Sequence, residues 1–82
     1  MKLIVYTQQN CPPCKSFKKW LDENNIIYEN RNISTSHYRK EFIDRGLRMT
    51  PTTIIELENG SELTLKGIRK SSKEKILEIS KS

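Results

Sequence analysis

Two adjacent prolines, Pro12 and Pro13, separate the only two cysteines of the chain, Cys11 and Cys14. Proline has φ already set for a first helical turn and loses little there by lacking an N–H. An apolar, β-branched run, Lys2 to Tyr6, lies just upstream. The motif Cys11-Pro12-Pro13-Cys14 therefore reads as the junction where a strand hands over to a helix. Three uses of such a pair compete: a metal clip, a structural staple, and a device for moving electrons.

The chain has 82 residues, which suits one domain spanning 1–82. A core of this size is marginal. No secretory apolar segment follows Met1, and no apolar run is long enough to span a membrane. The expected setting is cytoplasmic, where a disulfide is more often catalytic than structural. A bridge between Cys11 and Cys14 would also close too small a loop to constrain the unfolded chain much. The net charge is +5, from 15 Lys+Arg against 10 Asp+Glu. The basic residues are scattered among acids, which fits a solvated surface first and steering toward an acidic protein partner second. No nucleic-acid motif accompanies them, so no nucleic-acid partner is expected.

Periodicity then sets the elements. Phe17, Trp20 and Leu21 make one helical stripe after Pro13, and Asn24-Asn25 ends it. Ile26 to Asn30 reads as a second strand. Ser34, Thr35 or Ser36 would cap a helix carrying Tyr38 and Phe42 and stopping at Gly46. Thr52 to Leu57 and Glu62 to Leu65 read as strands joined by a hairpin at Asn59-Gly60. Ser71 with Glu74 forms a capping box for a last helix carrying Ile76, Leu77 and Ile79. The order is β-α-β-α-β-β-α. The expected fold class is α/β: a mixed four-stranded sheet, its first two strands parallel and its last two antiparallel, with helices against it.

In that frame Cys11 stands at a helix N-terminus, with Cys14 one turn on. Free N–H groups there carry partial positive charge and stabilise a thiolate, so such thiols fall well below their ordinary pKa. Pro12, Pro13 and Lys15 would tune that effect. Cys11 would attack a partner's disulfide, and Cys14 would resolve the mixed disulfide, leaving the pair oxidised. Two cysteines are too few for a structural zinc site, and His37 reads as an exposed helix residue, so no metal is expected. A Cys-x-x-Cys beside a βαβ pattern is a redox signature.

Tyr6-Thr7, Cys11-Pro12-Pro13-Cys14, and Thr50-Pro51 before a strand together resemble the glutaredoxin branch of the thioredoxin fold, over nearly the whole chain. The resemblance implies helices on both faces of the sheet, and that Pro51 is cis and lies beside the cysteines. It also implies that Thr50 presents its backbone to an extended substrate. Tyr6 would line the same face, or else pack on the core as a strand-end residue. Glutathione-using glutaredoxins usually carry a lysine before the first cysteine, and a Gly-Gly and acidic pair after the last strand. Here Gln8 takes the lysine position, and Lys66-Gly67-Ile68-Arg69-Lys70 lacks the acids. Gly67, Ile68 and Arg69, with Arg48, are instead similar to NrdH-type redoxins, although Pro12-Pro13 is not that group's usual spacer. That likeness implies thioredoxin reductase as electron source and ribonucleotide reductase as acceptor, and puts Arg48, Gly67, Ile68 and Arg69 on a partner-choosing rim. A glutathione-dependent glutaredoxin is the alternative reading, with glutathione as reductant. An iron–sulfur-binding glutaredoxin and a non-redox binding module stand lower. No bound cofactor beyond the redox-active disulfide is implied, and the expected state is a monomer.

Overall fold

The computed structural model describes residues 2–80; Met1, Lys81 and Ser82 of the expected 1–82 unit lie outside the described residues. The elements are β1 (Lys2–Thr7), α1 (Pro12–Glu23), β2 (Glu29–Asn32), α2 (Ser36–Asp44), β3 (Thr52–Glu56), β4 (Glu62–Lys66) and α3 (Lys70–Ser80). Their order along the chain is the one the sequence predicts. Across the sheet the order is β2-β1-β3-β4. β1 and β2 pair in parallel, while β1 with β3 and β3 with β4 are antiparallel.

The two central strands, β1 and β3, are buried on both faces, so β1 reads as a continuous apolar run rather than an alternating one, and β3 buries Thr52 and Thr53 beside Ile54 and Ile55. Side chains along a strand still point to opposite faces. Leu3, Val5 and Ile55 pack with Phe17 and Leu21 of α1 and Ile76 of α3. Ile4, Tyr6 and Ile54 pack on the other side with Phe42 of α2. The helices therefore cover both faces. Each such side chain contributes about 1.5–3 kcal/mol on burial.

The first two helices end in the same way. Asn25 takes φ 57; its N–H bonds to Asp22 O at 3.1 Å and the Ile26 N–H bonds to Leu21 O at 3.0 Å. Gly46 takes φ 74; its N–H bonds to Ile43 O at 2.9 Å and the Leu47 N–H bonds to Phe42 O at 3.2 Å. Both are Schellman closures, in which a left-handed residue lets two donors satisfy the last carbonyls. In each, the following apolar residue, Ile26 or Leu47, folds back onto the core.

Two expectations need correction. The second strand does not start at Ile26, whose N–H is committed to closing α1. Pairing with β1 begins only at Ile4 opposite Glu29, so the apolar residues Ile26 to Tyr28 are connection and the polar Glu29–Asn32 is the strand. The capping box also fails. α3 opens at Lys70 with the Lys73 N–H bonding to Arg69 O at 3.1 Å, so Ser71 and Glu74 lie inside the helix.

Candidate active site

β1 ends at Thr7, and a short loop carries the chain into α1. Asn10 adopts φ 57 to make that turn; Asn tolerates the left-handed region because its short polar side chain bonds locally. The Gln9 N–H donates to Ser34 Oγ at 3.1 Å and ties the loop to the β2–α2 connection. Cys11 then occupies the N-cap of α1, with Pro12 and Pro13 as its first two helical residues.

This placement decides which donors face the sulfur. An N-cap side chain ordinarily accepts from the second or third helical N–H. Pro13 has none to give at the second position. The Cys14 N–H, at the third, donates to Cys11 Sγ at 3.3 Å. The next N–H, of Lys15, goes to Cys11 O at 3.2 Å. The prolines thus leave the Cys11 sulfur one backbone donor of this helix. Lys15 is exposed, and the bond it shares with Cys11 is through its backbone.

Cys11 and Cys14 form a disulfide with their Cα atoms 5.2 Å apart. Cys11 is 7% exposed and Cys14 1%, so Cys11 is the more accessible residue of the pair. Across from them, the Thr50–Pro51 bond is cis, as the resemblance implies. Thr50 Oγ1 lies 3.7 Å from Cys11 Sγ, within hydrogen-bonding range for sulfur. The turn is held on both sides: Thr52 Oγ1 donates to Met49 O at 2.5 Å, and the Gly67 N–H donates to Pro51 O at 2.8 Å. Gly67 has φ 73, and a Cβ there would meet the Met49 methyl at 3.4 Å.

A groove of about 350 Å³ opens beside this turn, lined by Pro13, Met49, Thr50, Pro51 and the run from Lys66 to Arg69. It brings together Thr50, Pro51, Gly67, Ile68 and Arg69. Arg48 is exposed, next to the Met49 rim but outside the lining. Met49 and Lys66 also line the groove; each adjoins a residue that the motifs pick out, and neither carries a motif signal of its own. A larger recess, about 480 Å³ beside Ile26 to Glu29, contains neither cysteine.

Of its two expected places, Tyr6 takes the one on the core. It does not line the groove: its side chain is 0% exposed, and its ring packs edge-on to Phe42 at 5.6 Å. Its hydroxyl donates to Glu41 Oε1. Arg31 donates to the same carboxylate and to Glu29, and lies 3.4 Å from the Tyr6 hydroxyl. Burial raises the Tyr6 pKa, and the neighbouring Glu41 raises it further. The Tyr6 hydrogen bond, with the Arg31 guanidinium, holds the Glu41 carboxyl below its ordinary value against the opposing effect of burial. The alternation of β1 carries Tyr6 onto the α2 face and away from the cysteines. Among the described residues, no three His, Cys, Asp or Glu side chains are placed to hold a metal ion. No described helix is long and apolar enough to cross a membrane.

The glutaredoxin family model matches residues 3–58, a span that runs from β1 through both cysteines and the Thr50–Pro51 turn. The chain belongs to the glutaredoxin family. It is 36% identical over 50 residues to a glutaredoxin-like protein NrdH of Lactococcus lactis subsp. lactis, covering 60% of this chain and 69% of that one. It is 38% identical over 55 residues to the global transcriptional regulator Spx 1 of Bacillus cereus, covering 67% of this chain and 42% of that one. Among solved structures, the thioredoxin-like protein BC3987 superposes with a TM-score of 0.73 at 30% identity, covering 92% of this chain and 99% of that one. This glutaredoxin is accordingly an NrdH-like thiol oxidoreductase of the thioredoxin fold, and its redox centre is the Cys11–Cys14 pair.

Proposed function

We propose that this chain, acting as a single-domain monomer in the cytoplasm, reduces disulfides of partner proteins. It would take electrons from thioredoxin reductase and pass them to ribonucleotide reductase. The observation that carries the reading is the placement of Cys11: N-cap of α1, more exposed than Cys14, and facing the Thr50–Pro51 turn. Cys11 acts as the nucleophile because the Cys14 N–H, the helix dipole and the Thr50 hydroxyl all favour a thiolate there. Its sulfur attacks one sulfur of the partner's disulfide, and the other leaves as a thiolate that takes up a proton. Cys14 then loses its proton and attacks Cys11 of the mixed disulfide, releasing the second partner thiol. Two electrons pass to the partner, and Cys11–Cys14 is left oxidised. Thr50 and Pro51 present the backbone to the partner chain, and Arg48, Gly67, Ile68 and Arg69 form its rim.

The choice of electron source rests on the segment after β4. Lys66 to Lys70 supplies no carboxylate for a glutathione amine, and Gln8 supplies no cation before Cys11. The second reading, a glutathione-dependent glutaredoxin, draws on Lys66 and Arg69 in the groove, which suit carboxylates. NADPH oxidation with a protein disulfide separates the two. Turnover with thioredoxin reductase and not with glutathione plus glutathione reductase is the expected result. The reverse pattern would make glutathione the reductant.

A further inference from the structure

The groove beside Cys11 is apolar at its mouth and cationic at its edge, and no acid is among its lining residues. Met49 is 46% exposed and Ile68 38%. They flank Thr50–Pro51 in the groove lining, and large apolar side chains held open at a rim mark a contact surface. Three segments converge there, 8–19, 47–52 and 64–73, and none contains Asp or Glu; all ten acids of the chain lie elsewhere. The same segments carry Lys15, Arg48, Lys66, Arg69 and Lys70, all exposed. Lys66 and Arg69 line the groove itself. The cations that do form ion pairs are Lys2, Arg31, Lys40 and Arg45, so among the described residues neither groove cation is matched by an ion-paired acid. A field of one sign at the mouth of a cleft raises the encounter rate of oppositely charged partners by roughly 10–1000-fold, and the gain is screened by salt.

We infer that this surface recognises an acidic polypeptide segment carrying the target disulfide with an apolar side chain next to it. The apolar side chain would seat against Met49 and Ile68, and the flanking carboxylates would face Lys66 and Arg69. A polypeptide fits better than a nucleic acid because no aromatic ring lines the groove for a base to stack on. The inference deepens the dithiol-exchange reading and rests on it.

The test uses the pre-reduced protein in single turnover, so that the identity of the reductant does not enter. Exchange is stopped by alkylation, and oxidised Cys11–Cys14 is quantified by mass. Substrates are disulfide peptides identical except for flanks of four Glu, four Gln or four Lys. Neutral bis(2-hydroxyethyl) disulfide and glutathione disulfide complete the set. At low salt the Glu peptide should react about tenfold faster than the Gln peptide, and the Lys peptide slowest. About 0.5 M salt should bring the Glu/Gln ratio toward 1. The double variant Lys66→Gln, Arg69→Gln should shrink that ratio at low salt, an internal comparison that a general loss of activity does not move. Equal rates for the Glu and Gln peptides, with exchange intact on the neutral disulfide, would overturn the inference alone. So would glutathione disulfide outpacing the Glu peptide, or inhibition by a short DNA strand matching that by a non-disulfide Glu peptide. Failure to oxidise the pair with any substrate would overturn the exchange reading itself.

Discussion

At the scale of single residues, the site turns on how few donors reach the Cys11 sulfur. Pro12 and Pro13 were legible at once as a helix start, and their consequence is that the Cys14 N–H is left as the one helix donor. On the proposed exchange reading, the Thr50 hydroxyl, 3.7 Å away, would carry more of a Cys11 thiolate's stabilisation than it would beside a richer helix terminus. Removing a hydrogen bond to a charged group costs about 1.5–3 kcal/mol at best, and a long bond to sulfur sits at or below the low end. Thr50→Val should therefore raise the Cys11 thiol pKa, and Thr50→Ser should restore it. The pH dependence of iodoacetamide alkylation reads this directly, and an unchanged profile in Thr50→Val would remove Thr50 from the sulfur's environment. Tyr6 shows the limit of reading residues one at a time. Its position just before the catalytic loop suggested the substrate face, but which side of a strand a residue takes depends on the register of the whole sheet.

At the scale of elements, the apolar runs and helical stripes were visible in the sequence, and the boundaries less so. β2 is the polar Glu29–Asn32, an edge strand whose backbone pairs with β1 alone. Without an apolar face it has no hydrophobic signature to find. The preceding Ile26 looked like a strand residue because it is apolar, yet that character serves the closure of α1. Asn25 is the hinge of that closure at φ 57. A non-glycine residue other than Asn or Asp costs about 1–2 kcal/mol in the left-handed region. Asn25→Ala should thus destabilise the protein by about 1 kcal/mol in urea unfolding, while Asn25→Gly stays within a few tenths. Equal loss in both variants would point to the Asn side chain rather than to its backbone. Ser71 and Glu74 had the spacing of a capping box, but α3 starts earlier, at Lys70, directly after Gly67 turns the chain out of β4.

At the scale of the molecule, a mixed sheet with helices against it followed from element order, and helices on both faces came with the thioredoxin-like resemblance. The sequence did not reveal how α2 is tied down: Glu41 gathers Tyr6 from β1 and Arg31 from β2 onto one carboxylate. These three lie far apart in the chain, and only the fold brings them together. The Glu41 pKa is lowered from 4.5 in the folded state. Its contribution is therefore full above that value and is lost as pH falls through the lowered one. Wild type should lose thermal stability more steeply below about pH 4.5 than Glu41→Gln, by about 1 kcal/mol after allowing for partial exposure; parallel curves would contradict the tie. The acid-free lining of the groove is likewise a property of the assembled chain, since Pro13, Met49–Pro51 and Lys66–Arg69 are remote in sequence. The proposed exchange requires that Cys11 attacks and Cys14 resolves. The most direct test is to mix reduced Cys14→Ser and reduced Cys11→Ser separately with a disulfide-bearing partner and weigh the products. The account predicts a stable mixed disulfide on Cys11 in the first variant and little or none in the second. An adduct formed chiefly through Cys14 in Cys11→Ser, with none on Cys11 in Cys14→Ser, would contradict it.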